Sequence, residues 1–168
     1  LLGQQSRVSD TVELMKHIRS ADSLIGVDNS LAEKKLKKAG DLVSTISYKD
    51  KDIDPVIIKA VADFYSVQAY LYYNENKLNE SVQSFRKAER LYKRVDAKKG
   101  QAECLNNSAV ILNTMGNNIE SIKSYHDAIT IYESLSDSLG KGYAINNVSR
   151  IYRQQGDLEQ AMNYVLEA

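Results

Sequence analysis

The sequence predicts an all-α chain built as an array of stacked helix pairs, and three observations carry that prediction. The first is a repeat. "ECLNNSAVILNTMGNN", from Glu103 to Asn118, returns forty residues later as "YAINNVSRIYRQQGDL", from Tyr143 to Leu158. Leu-Asn-Asn becomes Ile-Asn-Asn at the same offset, and an Ile recurs at 111 and 151. A fixed period of this size marks an array of supersecondary units rather than a single closed bundle. The second observation is that no segment alternates apolar and polar residues with period two for long enough to form a strand. The third is the rarity of helix breakers. Proline occurs once, at Pro55, and the eight glycines are scattered, so long helices run with little interruption.

Taken in order, the periodicity predicts helices over 10–25, 30–46, 55–74, 78–95, 99–114, 118–134, 139–154 and 158–168. Asp10 with Glu13, and Ser30 with Glu33, have the spacing of a capping box. Asp54 places a capping carboxylate directly before a proline at the first helical position. Gly26, Gly116 and Gly156 stand where a left-handed residue closes a helix, and Asn76 takes that place one period earlier. The expected domain organisation is a single array over 1–168. Within it, 8–46 is a degenerate first repeat, 47–54 an irregular loop, 55–96 and 97–136 regular repeats, and 137–168 a truncated one.

Sliding the chain by forty aligns Tyr65, Leu105 and Ile145, then Ala69, Ala109 and Ser149, then Tyr72, Leu112 and Tyr152. Further on it aligns Ser81, Ser121 and Ala161, then Phe85, Tyr125 and Val165, then Ala88, Ala128 and Ala168. Gly100 pairs with Gly140, and Tyr92 with Tyr132. Large residues four apart on each first helix thus bracket a small one. The small residue admits the second helix at close range, and Ser121 or Ala161 reciprocates. Each pair leaves an apolar face that the next pair covers.

This pattern resembles the tetratricopeptide repeat, whose signature runs from a large residue through small ones to an aromatic, with a small residue and an aromatic on the second helix. It reads here Leu105, Ser108, Ala109, Leu112, Ser121, Tyr125, then Ile145, Val148, Ser149, Tyr152, Ala161, Val165, and in the preceding copy Tyr65, Gln68, Ala69, Tyr72, Ser81, Phe85. The usual period is about 34 residues with a closing proline. This chain has forty and none, and it is similar to the long repeats of kinesin light chains, Rap-type regulators and the repeat regions of bacterial sensor histidine kinases. The resemblance implies a right-handed α-solenoid of antiparallel helix pairs. The last repeat stops at Ala168, inside its second helix, where the preceding repeat continues through Ile131 and Tyr132. A solenoid ends in a polar cap, so the expectation is a natural chain that continues, with the face around Val165 and Leu166 exposed or covered by another molecule.

Composition narrows the function. The 168 residues carry 22 basic and 22 acidic side chains, which argues against nucleic-acid binding, because that depends on clustered Lys and Arg neutralising phosphates. A single cysteine, Cys104, excludes an internal disulfide and reads as a small hydrophobe beside Leu105. No apolar run approaches the roughly 20 residues of a transmembrane helix. His17 and His126 sit in different repeats, and the sequence holds no phosphate loop, His-x-x-x-His pair or Cys-x-x-Cys. We therefore expect no catalytic residues, no metal, no cofactor and no enzyme. The basic run Arg86, Lys87, Arg90, Lys93, Arg94, Lys98 and Lys99, and the cluster Lys34, Lys35, Lys37 and Lys38, read as solvated faces. The Asn-x-Ser sequons at Asn79, Asn106 and Asn147 fall within helices and read as coincidence.

The paired asparagines are more informative. With Leu105, Ala109 and Leu112 turned into the helix pair, Asn106, Val110 and Asn113 form the neighbouring stripe, with Asn107 one step further round. One period on, the stripe is Asn146, Arg150 and Arg153, with Asn147 and Gln154 beside it; one period earlier it is Ser66, Tyr70 and Tyr73, with Asn74 beside it. The resemblance places these first helices on a concave groove, where side-chain amides clamp the main chain of an extended peptide. An amide offers donors and an acceptor, and the arginines favour a carboxylate on the ligand. The alternative role of the amides is to hold the stack together.

The expected function is a peptide- or protein-binding module, the sensory or regulatory part of a larger signalling protein such as a membrane-anchored histidine kinase or transcriptional regulator. The alternative is a structural scaffold or self-associating adaptor, with a homodimer formed through the uncapped C-terminal helix. A small-molecule sensor using the Tyr70–Tyr73 surface is a weaker third reading. The opening "LL" without an initiator Met leans towards an extracytoplasmic piece of a membrane-anchored protein, with the cytoplasm as the alternative.

Overall fold

The computed structural model describes residues 2–46, 48 and 53–166, with side chains from residue 9 onward. Most of the loop expected at 47–54, and Ala168 with its expected place beside Ala88 and Ala128, lie outside the described residues. Among the described residues the chain forms eight helices and no strand. They are α1 (Leu2–Asp22), α2 (Asn29–Thr45), α3 (Pro55–Asn74), α4 (Leu78–Arg94), α5 (Lys98–Thr114), α6 (Asn118–Ser134), α7 (Ser138–Gln154) and α8 (Leu158–Leu166).

Two compact units result, Leu1–Asp96 and Ala97–Ala168. In the first, α1 packs on α2, α3 packs on α4, and α3 also touches α1 and α2. Its core joins Leu14, Ile18, Leu36, Val43, Val61, Phe64 and Leu71. In the second, α5 packs on α6, α6 on α7, and α7 on α8. There Tyr125 of α6 is enclosed by Ala109 of α5 and by Ala144, Val148 and Ile151 of α7.

The helix ends follow from local chemistry, with two corrections. Helix α1 begins at Leu2 and runs through Asp10, so Asp10 caps nothing. Ser30 is not a cap either, because Asp28 accepts the Leu31 amide at 2.9 Å while Asn29 accepts the Gly26 amide at 2.8 Å. Those two residues, two and one positions before Ser30, close the α1–α2 corner from both sides. Asp54 does cap α3, accepting from the Val56 amide at 2.8 Å with Pro55 in the first turn.

Gly116 and Gly156 take φ of 80° and 82°, and Asn76 takes 58°, each ending the first helix of a pair. Around them the amides of Lys77, Asn117 and Asp157 reach back to the carbonyls of Tyr72, Leu112 and Tyr152 at 2.8, 2.8 and 3.0 Å. This is a Schellman closure repeated at forty-residue intervals. Ser136 (φ 54°) and Asp96 (φ 52°) do the same work at the ends of α6 and α4, without the glycine that advertises it.

Within each regular pair a hydroxyl bridges the helices at their closest approach. Ser81 donates to the Ala69 carbonyl and Ser121 to the Ala109 carbonyl, both at 2.7 Å, and Ser149 donates to the Ala161 carbonyl at 2.9 Å. The small residues therefore admit a second backbone and also bond to it.

Candidate functional site

The stripe residues of α5 and α7 occupy corresponding faces of two helices in the same unit, and α5 and α7 touch. On α5, Asn106, Asn107, Val110 and Asn113 are all half-buried. On α7, Asn146, Arg150, Arg153 and Gln154 are exposed, and Asn147 is half-buried. The sharper exposure on α7 leaves its two guanidinium groups facing solvent.

Two amides behave differently from the rest. Asn113 donates from Nδ2 to Oδ1 of Asn118 at 2.9 Å, bridging the α5–α6 turn. Asn113 thus takes the stack-holding role, with its own carbonyl oxygen left to accept. Asn106 carries the opposite signature: its Oδ1 is buried without a hydrogen-bond partner. A buried acceptor without a donor costs about 1–3 kcal/mol, so the Asn106 oxygen is a local destabilising feature of α5.

The second orphaned atom is the Tyr125 hydroxyl. Tyr125 is fully buried, and its phenol is pushed up to about 12, chiefly by burial and against the pull of the Arg150 cation. The register identifies Tyr125 as a packing position, but its buried hydroxyl escaped the sequence reading, although the signal was there. The register puts Phe85 and Val165 at the same position, and only Tyr125 adds a polar atom.

In the first unit, Tyr70 and Tyr73 are 38% and 44% exposed, enough to offer their rings to a partner. Tyr70 stands edge-on to Phe85, with centroids 5.1 Å apart. Asn74 is exposed, and its Nδ2 lies beside Gly26 of the α1–α2 corner.

The packing positions need two corrections. Cys104 is 2% exposed while its neighbour Leu105 is only half-buried, so the smaller side chain takes the inner place. Tyr65 and Tyr72, read as packing residues, are half-buried and line an open cavity. Their register partners Leu112 and Ile145 are buried as expected.

His126 is exposed, and its Nε2 shares a hydrogen bond with the Tyr164 hydroxyl at 2.5 Å. Tyr164 in turn stacks on Tyr152 at 5.5 Å, so the group fastens α8. Among the described residues no three His, Cys, Asp or Glu side chains gather where a metal ion could be held. No helix among them is long and apolar enough to cross a membrane.

Comparison with known proteins agrees with the repeat register. Two family models match, both described as tetratricopeptide repeat, one over residues 100–168 and the other over residues 62–94. Together they cover more than half of the chain. No curated protein matches the sequence.

Among solved structures, aspartyl phosphate phosphatase F from Bacillus subtilis superposes with a TM-score of 0.78 at 14% identity, covering 92% of this chain and 38% of its own. A signal transduction ATPase with numerous domains (STAND) from Pyrococcus horikoshii, which carries a tetratricopeptide repeat sensor, gives a TM-score of 0.80 at 18% identity. That match covers 94% of this chain and 23% of the other. BtubC (BKLC) from P. vanneervenii gives 0.60 at 17% identity, covering 93% and 69%. The chain thus spans well under half of the first two.

At these identities the likeness establishes the fold, an all-α, tetratricopeptide-like α-solenoid of helix pairs. The repeat described by both models is a protein-interaction module, and neither model describes a catalytic family. Register, hydroxyl-bridged helix pairs and family models converge, and the chain belongs to the tetratricopeptide repeat family.

Proposed function

We propose that the chain binds an extended peptide along the amide stripes of α5 and α7, as the sensory or regulatory part of a larger signalling protein such as a membrane-anchored histidine kinase or transcriptional regulator. One observation carries the reading. The same amide-bearing face recurs on two touching helices, half-buried on α5 and largely exposed on α7. Extended backbone brings unpaired N–H and C=O groups at regular intervals, and side-chain amides satisfy both. Arg150 and Arg153 add positive charge to that face, which selects a carboxylate on the ligand. Tyr70, Tyr73 and Asn74 supply the corresponding face on α3. The signalling role draws support from two structural neighbours named as an aspartyl phosphate phosphatase and a STAND protein with a repeat sensor.

The test is selection of peptides from a random display library on the full chain, followed by calorimetry on the winners. Acidic, extended sequences whose affinity falls with added salt, and falls further in Arg150→Ala, support the reading. Winners indifferent to Arg150→Ala and Arg153→Ala overturn it.

A second reading, the self-associating adaptor, has an observation of its own. Helix α8 exposes Leu158, Met162, Val165 and Leu166 by 56–78%. Sedimentation of the parent and of Met162→Glu over a range of concentrations decides it, since only a face used for self-association makes the variant more monomeric.

A further inference from the structure

Helices α2, α3 and α4 of the first unit, with Tyr48, border an open cavity of about 700 Å³, on a face of α3 distinct from that of Tyr70 and Tyr73. This volume falls within the range of small-molecule sites, roughly 300–1,000 Å³. By register, Tyr65 lies two periods before the buried Ile145 and Tyr72 one period before the buried Leu112, yet both tyrosines border open space.

The chemistry of the lining is one-sided. Tyr65, Gln68 and Tyr72 share a helix face at spacings of three and four. Val43, Ile46 and Phe64 supply apolar wall. The sole charged residue of the lining is Lys87, whose Nζ stands 5.2 Å from the centroid of the Tyr65 ring. Among the described residues no carboxylate pairs with it.

The hydroxyls of Tyr48 and Tyr65 lie 3.3 Å apart. Within such a pair one O–H donates to the other, and the second proton is left for a third partner. Burial, then the hydrogen bond to Tyr48, pushes the Tyr65 phenol up to about 12, so Tyr65 keeps its proton at neutral pH. Ser84 donates to Oε1 of Gln68 at 3.3 Å, which leaves the Gln68 amino group to donate elsewhere. An ammonium, an amide N–H and a phenol O–H therefore face a space to which the described lining residues contribute aromatic and aliphatic wall and no carboxylate.

We propose that this cavity binds a small carboxylate with a planar apolar body, an aromatic carboxylic acid. Its carboxylate rests on Lys87 and the Tyr48–Tyr65 pair, and its ring lies against Tyr72 and Val43. Charge complementarity selects the anion, because a cation would meet Lys87 and a neutral ligand would gain no charge-assisted contact from it. The site is separate from the amide stripes and does not rest on the peptide reading.

The probes are 2-naphthoate and its neutral counterpart 2-naphthamide, titrated into the full chain and followed by amide chemical shifts. Naphthoate is expected to move the amides of Gly40, Ser44 and Gln68, and to bind at least fivefold more tightly than naphthamide. Lys87→Gln should remove that preference while leaving the melting temperature unchanged, since Lys87 is exposed. Ser44→Trp, at the mouth, should abolish binding of both. Equal binding of the amide, shifts confined to the apolar face of α8, or naphthoate affinity indifferent to Lys87→Gln would overturn the proposal.

Discussion

Ser149 donates its hydroxyl proton to the main-chain carbonyl of Ala161 at 2.9 Å, and this pair is the mirror image of Ser121 and Ala109. In the α3–α4 and α5–α6 pairs the serine sits on the second helix and the alanine on the first. In the α7–α8 pair they have changed places, yet the bond still spans twelve residues and remains buried. What persists through the repeat is therefore neither residue but the contact. One side of each helix crossing must be small, and one side must carry a hydroxyl.

That exchange is testable by repeating it. Ser121→Ala deletes a buried hydrogen bond worth about 0.5–1.5 kcal/mol, which lowers the melting temperature by about 2–4 °C per kcal/mol in a domain of this size. Adding Ala109→Ser should rebuild the bond from the opposite helix and restore most of the loss. Calorimetric melting of the single and double variants checks this. A double variant no better than Ser121→Ala would show that the arrangement in α7–α8 depends on its own surroundings.

Gly140 and Gly142 make a matched pair on α7. A Cβ at Gly140 would stand 2.5–2.9 Å from ring atoms of Tyr132, a buried side chain with no room to retreat. A Cβ at Gly142 would meet nothing within 4 Å. Gly140→Ala should therefore destabilise by overpacking, about 1–3 kcal/mol. Gly142→Ala should stabilise by up to about 1 kcal/mol through helix propensity. Opposite shifts in denaturation midpoint are the expected result.

The Tyr125 hydroxyl gives a prediction with a pH signature. Tyr125→Phe restores the residue type found at Phe85 and removes a buried polar atom without a partner. Stability should rise by about 1 kcal/mol, the penalty of an unsatisfied buried group. The folded phenol is pushed up to about 12 from an ordinary value near 10. The unfolded chain then loses its proton first, so this contribution is whole below pH 10 and is lost as pH rises from 10 to 12. Thermal melts at pH 9 and pH 11 should show a smaller alkaline loss in the variant than in the parent.

The helices from α3 to α7 were legible within a residue or so, because a forty-residue register repeats every packing decision and each copy checks the others. The N-terminal boundary was not. Asp10 and Glu13 have capping-box spacing, but that spacing also occurs on the surface of a continuing helix. At the other corner Asp28 and Asn29, two residues and one before Ser30, do the capping. The amide stripes were legible as faces, since a face follows from period alone. Their hydrogen bonds were not, because Asn113 bonds to Asn118 across a turn whose geometry no spacing reveals. The Tyr65–Tyr72 cavity was missed because register made both residues packing positions, and register does not report which copy of a position has a neighbour to pack against.

The stripe itself carries the last prediction. If an extended peptide lies across α5 and α7, Asn107→Ala with Asn147→Ala removes two amides, each able to donate to and accept from its main chain. At about 0.5–1.5 kcal/mol for each hydrogen bond, affinity should fall roughly tenfold or more, since every 1.4 kcal/mol is a factor of ten. Folding should hardly change, because alanine exceeds asparagine in helix propensity by a few tenths of a kcal/mol or more. Arg150→Ala should weaken acidic ligands selectively and flatten the salt dependence of binding, since it removes one charge–charge contact screened by added ions. Melting temperature and peptide affinity must be measured on the same double variant, because the two roles of an amide separate only there. A variant that melts markedly lower yet keeps full affinity would make Asn107 and Asn147 stack-holding residues, as Asn113 already is, and the peptide would have to bind elsewhere.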